Sequence, residues 1–343
     1  MDNKNQHKQP SATGVTLLKK MTEKSDGSLS NAIGHRVLSR YSVPAKPLQI
    51  NTVVQLARGK NVVLLAGTGF GKSQIAKIYY DLVPKHTKGV FLVLNPLDAL
   101  GNNEVSEKNA AGFVAINLTK LTFNPAEAAK ICHGKYSFVY LSPETFLNSK
   151  LFPSIYFSAE FQSRLALVVV DEAHLIYHWG MGNLHTNLLA CNGAPILLLS
   201  ATCPPKPLRA IQHNLRMDSA NLVTLRGELT CPEIRIIRVF MKGSMASFAD
   251  LADLYLPISG TPNMKIVPSL IYCNTQRRTG QALEVLANAR GTPNDSSKAL
   301  SLFARRYHSV TGEQDKQDAL VRTGRVSDLW STWDEVTLLP YAK

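Results

Sequence analysis

Three short stretches hold residue types whose spacing can do phosphate chemistry. Ala66-Gly67-Thr68-Gly69-Phe70-Gly71-Lys72-Ser73 is a glycine-rich turn between an apolar run, Val62–Leu65, and a helical pattern. Such a turn aims several backbone N–H groups at one anion on the positive end of the helix. Lys72 would reach the β- and γ-phosphates, and the Ser73 hydroxyl would hold Mg²⁺. The strict pattern begins with glycine, and Ala66 stands in that place. About 100 residues on, Asp171-Glu172-Ala173-His174 follows the apolar run Leu165–Val170. Asp171 is placed to hold the magnesium, and Glu172 to orient and deprotonate an attacking water. Ser200-Ala201-Thr202 ends the next apolar run, where its hydroxyls would sit close to His174. Together the three stretches describe hydrolysis of a γ-phosphate, and the last one a route from nucleotide state to the rest of the protein.

The elements that position these residues are legible as runs. Val62–Leu65, Val90–Leu94, Phe113–Ile116, Phe138–Leu141, Leu165–Val170 and Pro195–Leu199 are continuous β-branched and leucine stretches without alternation. That pattern predicts strands buried on both faces. Helical patterns between them, such as residues 50–58, predict an α/β fold with a parallel, doubly wound sheet whose ligands gather at the carboxyl ends of the strands. Residues 226–241 lead out of this domain. A second parallel unit is expected from Ser269 to Asn274, followed by a helix through Leu286, a turn-rich insert at 291–297, and helices at 299–306 and 313–321. Residues 1 to about 30 are polar and predict a disordered tail.

Composition narrows the partners. The chain has 343 residues, 45% hydrophobic and 18% charged, with a net charge of +13. This describes a soluble globular chain of about two domains, with a polyanion such as nucleic acid as the simplest partner. Residues 1–60 hold ten Lys/Arg against three Asp/Glu, so over half of that charge lies near the amino end. The five cysteines are scattered without a C-x-x-C pair, which predicts no zinc site and a reducing compartment. No apolar run approaches membrane-spanning length and no secretory leader is apparent, so an intracellular, soluble protein with no membrane partner is expected. Tyr177-His178-Trp179-Gly180, just after the acidic stretch, reads as an aromatic loop able to stack on unpaired bases. Gln49 lies upstream of the phosphate turn, where an amide could read adenine.

As a set, the phosphate turn, Asp171–His174 and Ser200–Thr202 resemble the first three ATPase motifs of a superfamily 2 helicase of the DEAH type. Lys46-Pro-Leu-Gln49, Asn95-Pro-Leu97, Ser142-Pro-Glu144, Trp179-Gly180, Leu270–Asn274 and Tyr307-His308 narrow the resemblance to the RecQ family. It covers about residues 38–322, in order. The resemblance implies a RecA-like P-loop NTPase, with a complete first lobe at about 38–240 and a partial second RecA-like domain at 241–325. Residues 1–37 are then a basic tail, and 326–343 match nothing in the family.

By the same resemblance, ATP and Mg²⁺ are the cofactors. Gln49 contacts adenine; Gly67, Thr68, Gly69, Phe70, Gly71, Lys72 and Ser73 hold the phosphates. Asn95, Pro96, Ser142 and Glu144 touch the DNA backbone, while Trp179, Ser200 and Thr202 couple DNA to hydrolysis. The implied activity is 3′-to-5′ unwinding of DNA, single-stranded or as a 3′-tailed duplex, in the nucleus if the source is eukaryotic. Two departures stand against this. Met181–Leu184 replace the charged and aromatic continuation of the Trp-Gly loop. After His308 the family's threonine- and glycine-rich motif and its glutamine- and arginine-bearing motif are missing; Arg322-Thr-Gly-Arg325 comes too soon and lacks the glutamine. Candidates for the missing arginine finger are Arg277, Arg278, Arg322 and Arg325. A protein partner completing the second lobe, and a chain that binds nucleotide and nucleic acid without unwinding, stay open as alternatives. A P-loop kinase has no use for Asp171–His174 followed by Ser200–Thr202.

Overall fold

The structure is a computed structural model. It describes residues 14–96, 98–119, 121–178, 193–202, 211, 215, 219–229, 237–255, 257–262, 265–266, 269–273, 275–298, 301, 303–308 and 335–339. The chain divides into two compact units, 1–233 and 234–343.

The first unit is built on seven strands: β1 (Asn61–Leu65), β2 (Val90–Leu94), β3 (Ala115–Leu118), β4 (Phe138–Leu141), β5 (Leu165–Val170), β6 (Ile196–Ser200) and β7 (Leu222–Arg226). They form one sheet in the order β3-β4-β2-β5-β6-β1-β7, with every pairing parallel. β2, β4, β5 and β6 are buried along their whole lengths, as unbroken apolar runs require in a sheet covered on both faces. The two faces carry separate cores. One contains Val63, Leu92, Val139, Val168 and Leu198; the other contains Val62, Phe91, Phe138, Val169 and Leu197.

One expected strand needs correction, and one strand was not expected. β3 begins two residues later than the apolar run, because Phe113 is buried by ring contacts with Tyr80 and Phe138 rather than by strand pairing. Periodicity reports burial, and burial was satisfied without a ladder. β7 has no apolar run to announce it. It is an edge strand whose residues are partly exposed, recruited by pairing with β1.

The amino-terminal segment also departs from expectation. Residues 26–37 are not a disordered tail but most of a helix, Asp26–Tyr41, capped by the Ser25 side chain accepting from Ser28 N. Leu29, Ile33 and Val37 recur at helical spacing and are buried in the same core as β1. Met21 joins them from the short helix Lys19–Thr22. The polar majority on the outer face of the helix masked this stripe in the composition. Arg40 pairs with the buried Asp81 at the end of the helix Lys72–Tyr80, and Arg58 pairs with Asp26 at 2.9 Å.

The second unit contains β8 (Ser269–Tyr272), the helix Gln276–Ala289, β9 (Arg305–His308) and β10 (Glu335–Leu339). The helix is capped by Thr275, and Leu283 and Leu286 pack with Phe303 and Ala304. The order is β8-β10-β9, and β10 is antiparallel to both neighbours. Two expectations change here. Arg305 and Arg306 belong to a strand, not to a helix, and the sheet is not wholly parallel, because a strand's apolar pattern carries no information about its direction. The expected helix at 313–321 lies outside the described residues, as do Asn274, Arg322 and Arg325.

Because Leu29 is fully buried, Leu29→Ala is expected to destabilise the first unit by about 3 kcal/mol in urea unfolding. An unchanged midpoint would return this segment to the status of a loose tail.

Candidate nucleotide site

The candidate residues sit where the sheet's carboxyl edge is held together by backbone hydrogen bonds that continue past the strand ends. Asn95 N donates to Leu141 O at 3.0 Å, Asp171 N to Leu94 O at 2.9 Å, and Ala173 N to Leu199 O at 2.8 Å. Ala66 N donates to Ser200 O at 3.1 Å and Gly227 N to Leu65 O at 2.7 Å. The strand order therefore lays the candidates side by side: Ser142 after β4, Asn95 after β2, Asp171 after β5, Ser200 at the end of β6, and the phosphate turn after β1.

The phosphate turn has the backbone that its glycines predict. Gly69 and Gly71 take φ of 77° and 88°, in the left-handed region that favours glycine. Lys72 opens the helix Lys72–Tyr80, whose first turn has no side-chain cap and no acidic residue. That leaves a positive helix end without a protein anion. Lys72 Nζ donates to Ala66 O at 2.9 Å and Gly67 O at 3.2 Å. Thr68 and Gly69 are exposed at the tip, and Ser73 lies in the first helical turn.

Gln49 is buried, with both ends of its amide engaged. Its oxygen accepts from Lys46 N at 2.8 Å and its nitrogen donates to Gly71 O at 2.9 Å. It thereby ties the start of the helix Pro47–Ala57 to the last turn of the phosphate loop. The Lys46 ammonium lies 4.7 Å from the centre of the Phe70 ring on the same loop.

Asp171, Glu172, His174 and Ser200 converge. Asp171 Oδ1 accepts from Glu172 N at 3.0 Å. His174 Nδ1 is 2.9 Å from Ser200 Oγ and 3.2 Å from Glu172 Oε2. Ser200 Oγ also accepts from Thr202 N at 3.3 Å. Glu172 has φ of 47°, a left-handed conformation that costs a side-chain-bearing residue about 1 kcal/mol. Its Oε2 is buried and has no hydrogen-bond partner in good geometry. Burial first, and the Glu172 charge second, push the Asp171 carboxyl up to about 6, against the pull of Lys72. A carboxylate pair beside a lysine and an open helix end is an arrangement with the chemistry to hold a cation and orient a water.

Ser142 caps the helix Pro143–Asn148, accepting from Thr145 N at 3.2 Å, and Glu144 is exposed on its first turn. Asn95 is buried and Pro96 partly so. These residues share the sheet edge but lie three to four strands from the phosphate turn. Trp179, Gly180 and the Met181–Leu184 stretch lie outside the described residues, as does Leu97. Sequence reasoning missed one element here. The residues after β7 cross the phosphate turn, with Gly67 N donating to Glu228 O at 3.0 Å. An ideal Cβ on Gly67 would meet Leu229 O at 3.1 Å and Glu228 O at 3.2 Å, so this glycine serves close packing rather than a turn. No local signal marks that contact, which joins residues about 160 apart.

Residues 46–211 match the family model for the DEAD/DEAH box helicase. This stretch is similar to a DEAD/DEAH box helicase domain. Among curated relatives, the chain is 25% identical over 259 residues to ATP-dependent DNA helicase Q-like 5 of Arabidopsis thaliana, covering 71% of this chain and 27% of that protein. It is 26% identical over 242 residues to ATP-dependent DNA helicase RecQ of Pasteurella multocida, covering 67% and 35%. To the bifunctional 3′-5′ exonuclease/ATP-dependent helicase WRN of Mus musculus it is 25% identical over 293 residues, covering 80% and 18%. The chain thus spans about a third or less of the length of these relatives. The fold is similar to that of the DUF1998 helicase MrfA solved with DNA and AMPPNP, with a TM-score of 0.60 at 14% identity, covering 89% of this chain and 43% of that one. The doubly wound parallel sheet of the first unit has the RecA-like fold.

A raised carboxyl pKa means that ionising Asp171 costs the folded state more than the unfolded one. That cost grows as pH rises from about 4 to about 6 and is then constant. Asp171→Asn is therefore expected to unfold at a higher temperature than the parent at pH 7, with the difference vanishing near pH 4. A variant no more stable than the parent at pH 7 would contradict the buried-carboxylate picture.

Proposed function

We propose that the first unit binds Mg-ATP at the carboxyl edge and hydrolyses it in response to DNA, as part of a RecQ-type helicase. The observation that carries this reading is the convergence of Glu172, His174 and Ser200, with Asp171 and the phosphate turn at the same sheet edge. The residues fit the cofactor. Glu172 Oε2 is a buried oxygen that makes no hydrogen bond in good geometry, with His174 Nδ1 3.2 Å away, and the helix at Lys72 starts without a cap.

Ser73 and Asp171 would hold the magnesium, Lys72 the β- and γ-phosphates, and the turn from Gly67 to Gly71 the remaining phosphate oxygens, through the N–H groups not already given to Glu228 O by Gly67 and to Gly67 O by Phe70. Bound Mg²⁺ supplies neutralisation of phosphate charge. Gln49 would sit at the adenine. Glu172 orients and deprotonates the attacking water, its position fixed by the left-handed backbone and by His174. His174 and Ser200 connect that base to Thr202 and to the β6 end, so that hydrolysis and the nucleic-acid side of the edge move together. Asn95, Pro96, Ser142 and Glu144 would contact the DNA backbone, with Trp179 coupling DNA to turnover. Unwinding in the 3′-to-5′ direction and work on nuclear DNA in a eukaryote are the finer parts of this reading. The resemblance to RecQ relatives supports them.

A second reading is favoured by one feature of the sequence. Residues 309–343 contain neither the threonine- and glycine-rich motif nor the glutamine- and arginine-bearing motif of the family. An arginine finger is worth about 10³ to 10⁵ in turnover. Residues 1–343 taken alone would then bind Mg-ATP and DNA with little turnover and no strand separation, and a further segment or a partner that brings such an arginine would restore both.

One set of measurements tests both readings. Lys72→Ala is expected to abolish tight Mg-ATP binding, and Glu172→Gln to keep binding while removing hydrolysis. Equal nucleotide affinity in the Lys72→Ala protein would sink the first reading at its root. ATP-dependent unwinding of a 3′-tailed duplex by the purified chain would sink the second.

A further inference from the structure

The amino ends of the parallel strands form a second charged surface, on the far side of the sheet from the nucleotide edge. β4, β2 and β5 are consecutive neighbours in the sheet. Their starts are tied together by Phe91 N donating to Ser137 O at 2.9 Å and Val90 N donating to Arg164 O at 2.7 Å. The loops that enter these strands touch. An ideal Cβ on Gly134 would lie 3.0 Å from Lys88 Cβ and 3.2 Å from Arg164 Nη1. With neighbouring strands about 4.8 Å apart, the three loops fall within roughly 10 Å of one another.

Positive charge predominates on this face. Lys85, Lys88 and Lys135 are exposed, and among the described residues none has an acidic partner. The two acids on the flanking helices are already engaged. Glu127 accepts from Lys130 at 2.5 Å and from the Tyr136 hydroxyl at 2.6 Å, and Glu160 lies 3.5 Å from Arg164. Surfaces that serve only solubility mix signs, whereas clustered like charge builds a potential that draws a polyanion.

The same loops lack what single-strand binding uses. Unpaired bases are held by stacking on exposed aromatic rings. Tyr136, the one Phe, Tyr or Trp in these loops, is buried, with the Lys135 ammonium 5.3 Å from its ring centre; the exposed rings are the small imidazoles of His86 and His133. Exposed lysines with no exposed Phe, Tyr or Trp beside them favour phosphates over bases.

We propose that this face binds the phosphate backbone of duplex nucleic acid, holding a duplex segment away from the nucleotide edge. The surface is separate from the nucleotide site and does not depend on turnover. The probe is a labelled duplex of about 20 base pairs, with binding followed by anisotropy between about 50 and about 200 mM salt. Each lost phosphate contact lowers the slope of log affinity against log salt by about 0.9, so Lys85→Glu/Lys88→Glu/Lys135→Glu should lower it by about 3. The triple alanine variant should shift it in the same direction, while Mg-ATP affinity and thermal unfolding match the parent. Lys72→Ala, which tests the nucleotide reading, should leave duplex affinity and slope unchanged, so the two failures are distinguishable. An unchanged slope in both triple variants would overturn the proposal. So would a loss confined to phosphatidylserine vesicles with duplex binding intact, which would assign the face to a membrane.

Discussion

The site depends on one residue, Ser200, and on the two bonds it makes in different directions. Its carbonyl accepts from Ala66 N at the mouth of the phosphate turn, and its hydroxyl lies 2.9 Å from His174. The first bond is an extension of the β1–β6 ladder, so the turn cannot shift without pulling on β6. The second reaches across to the loop after β5. A single serine at the end of one strand thus joins the loops that follow its two neighbours. The hydroxyl is small enough to be buried with its partners satisfied, which a larger polar group at that point would not allow.

This arrangement is costly, and the sheet offsets the cost. Glu172 holds a left-handed backbone, its buried Oε2 makes no hydrogen bond in good geometry, and Asp171 is desolvated beside a like charge. Each is a local loss of stability of the kind that gathers at functional sites. β5 and β6 on either side are buried along their whole lengths, with Val168, Val170, Leu197 and Leu198 essentially shielded from solvent. Strands that rigid can carry strained loops at their ends.

The amino-terminal helix belongs to the same economy. Asp26–Tyr41 covers the face of the sheet that contains β1 through Leu29, Ile33 and Val37, and Arg40 neutralises the buried Asp81 at the end of the helix that starts at Lys72. The helix carrying the phosphate lysine is therefore braced at its far end by a segment whose composition resembles a solvated arm. The two ends of the sheet are also chemically distinct. The carboxyl edge gathers carboxylates and small hydroxyls beside Lys72, whereas the amino edge presents unpaired lysines over buried rings.

The sequence by itself determined the chemistry and the strands that bear it. Glycines at 69 and 71 allow the left-handed turns found there, and the apolar runs between helical patterns read as buried strands, so the phosphate turn, the acidic stretch and Ser200–Thr202 were legible as strand ends. That Gln49 would spend both ends of its amide on Lys46 and Gly71 was not legible, because an amide's partners are set by which helix arrives beside it. Nor was the crossing of the phosphate turn by Glu228, the strand β7, or the buried stripe of Asp26–Tyr41 beneath a polar majority. β10 between β8 and β9 is the clearest case, since apolar alternation is the same read in either direction. Pairing, direction and the choice of hydrogen-bond partner come from contacts between residues tens to hundreds apart, and only the tertiary structure brings those residues together.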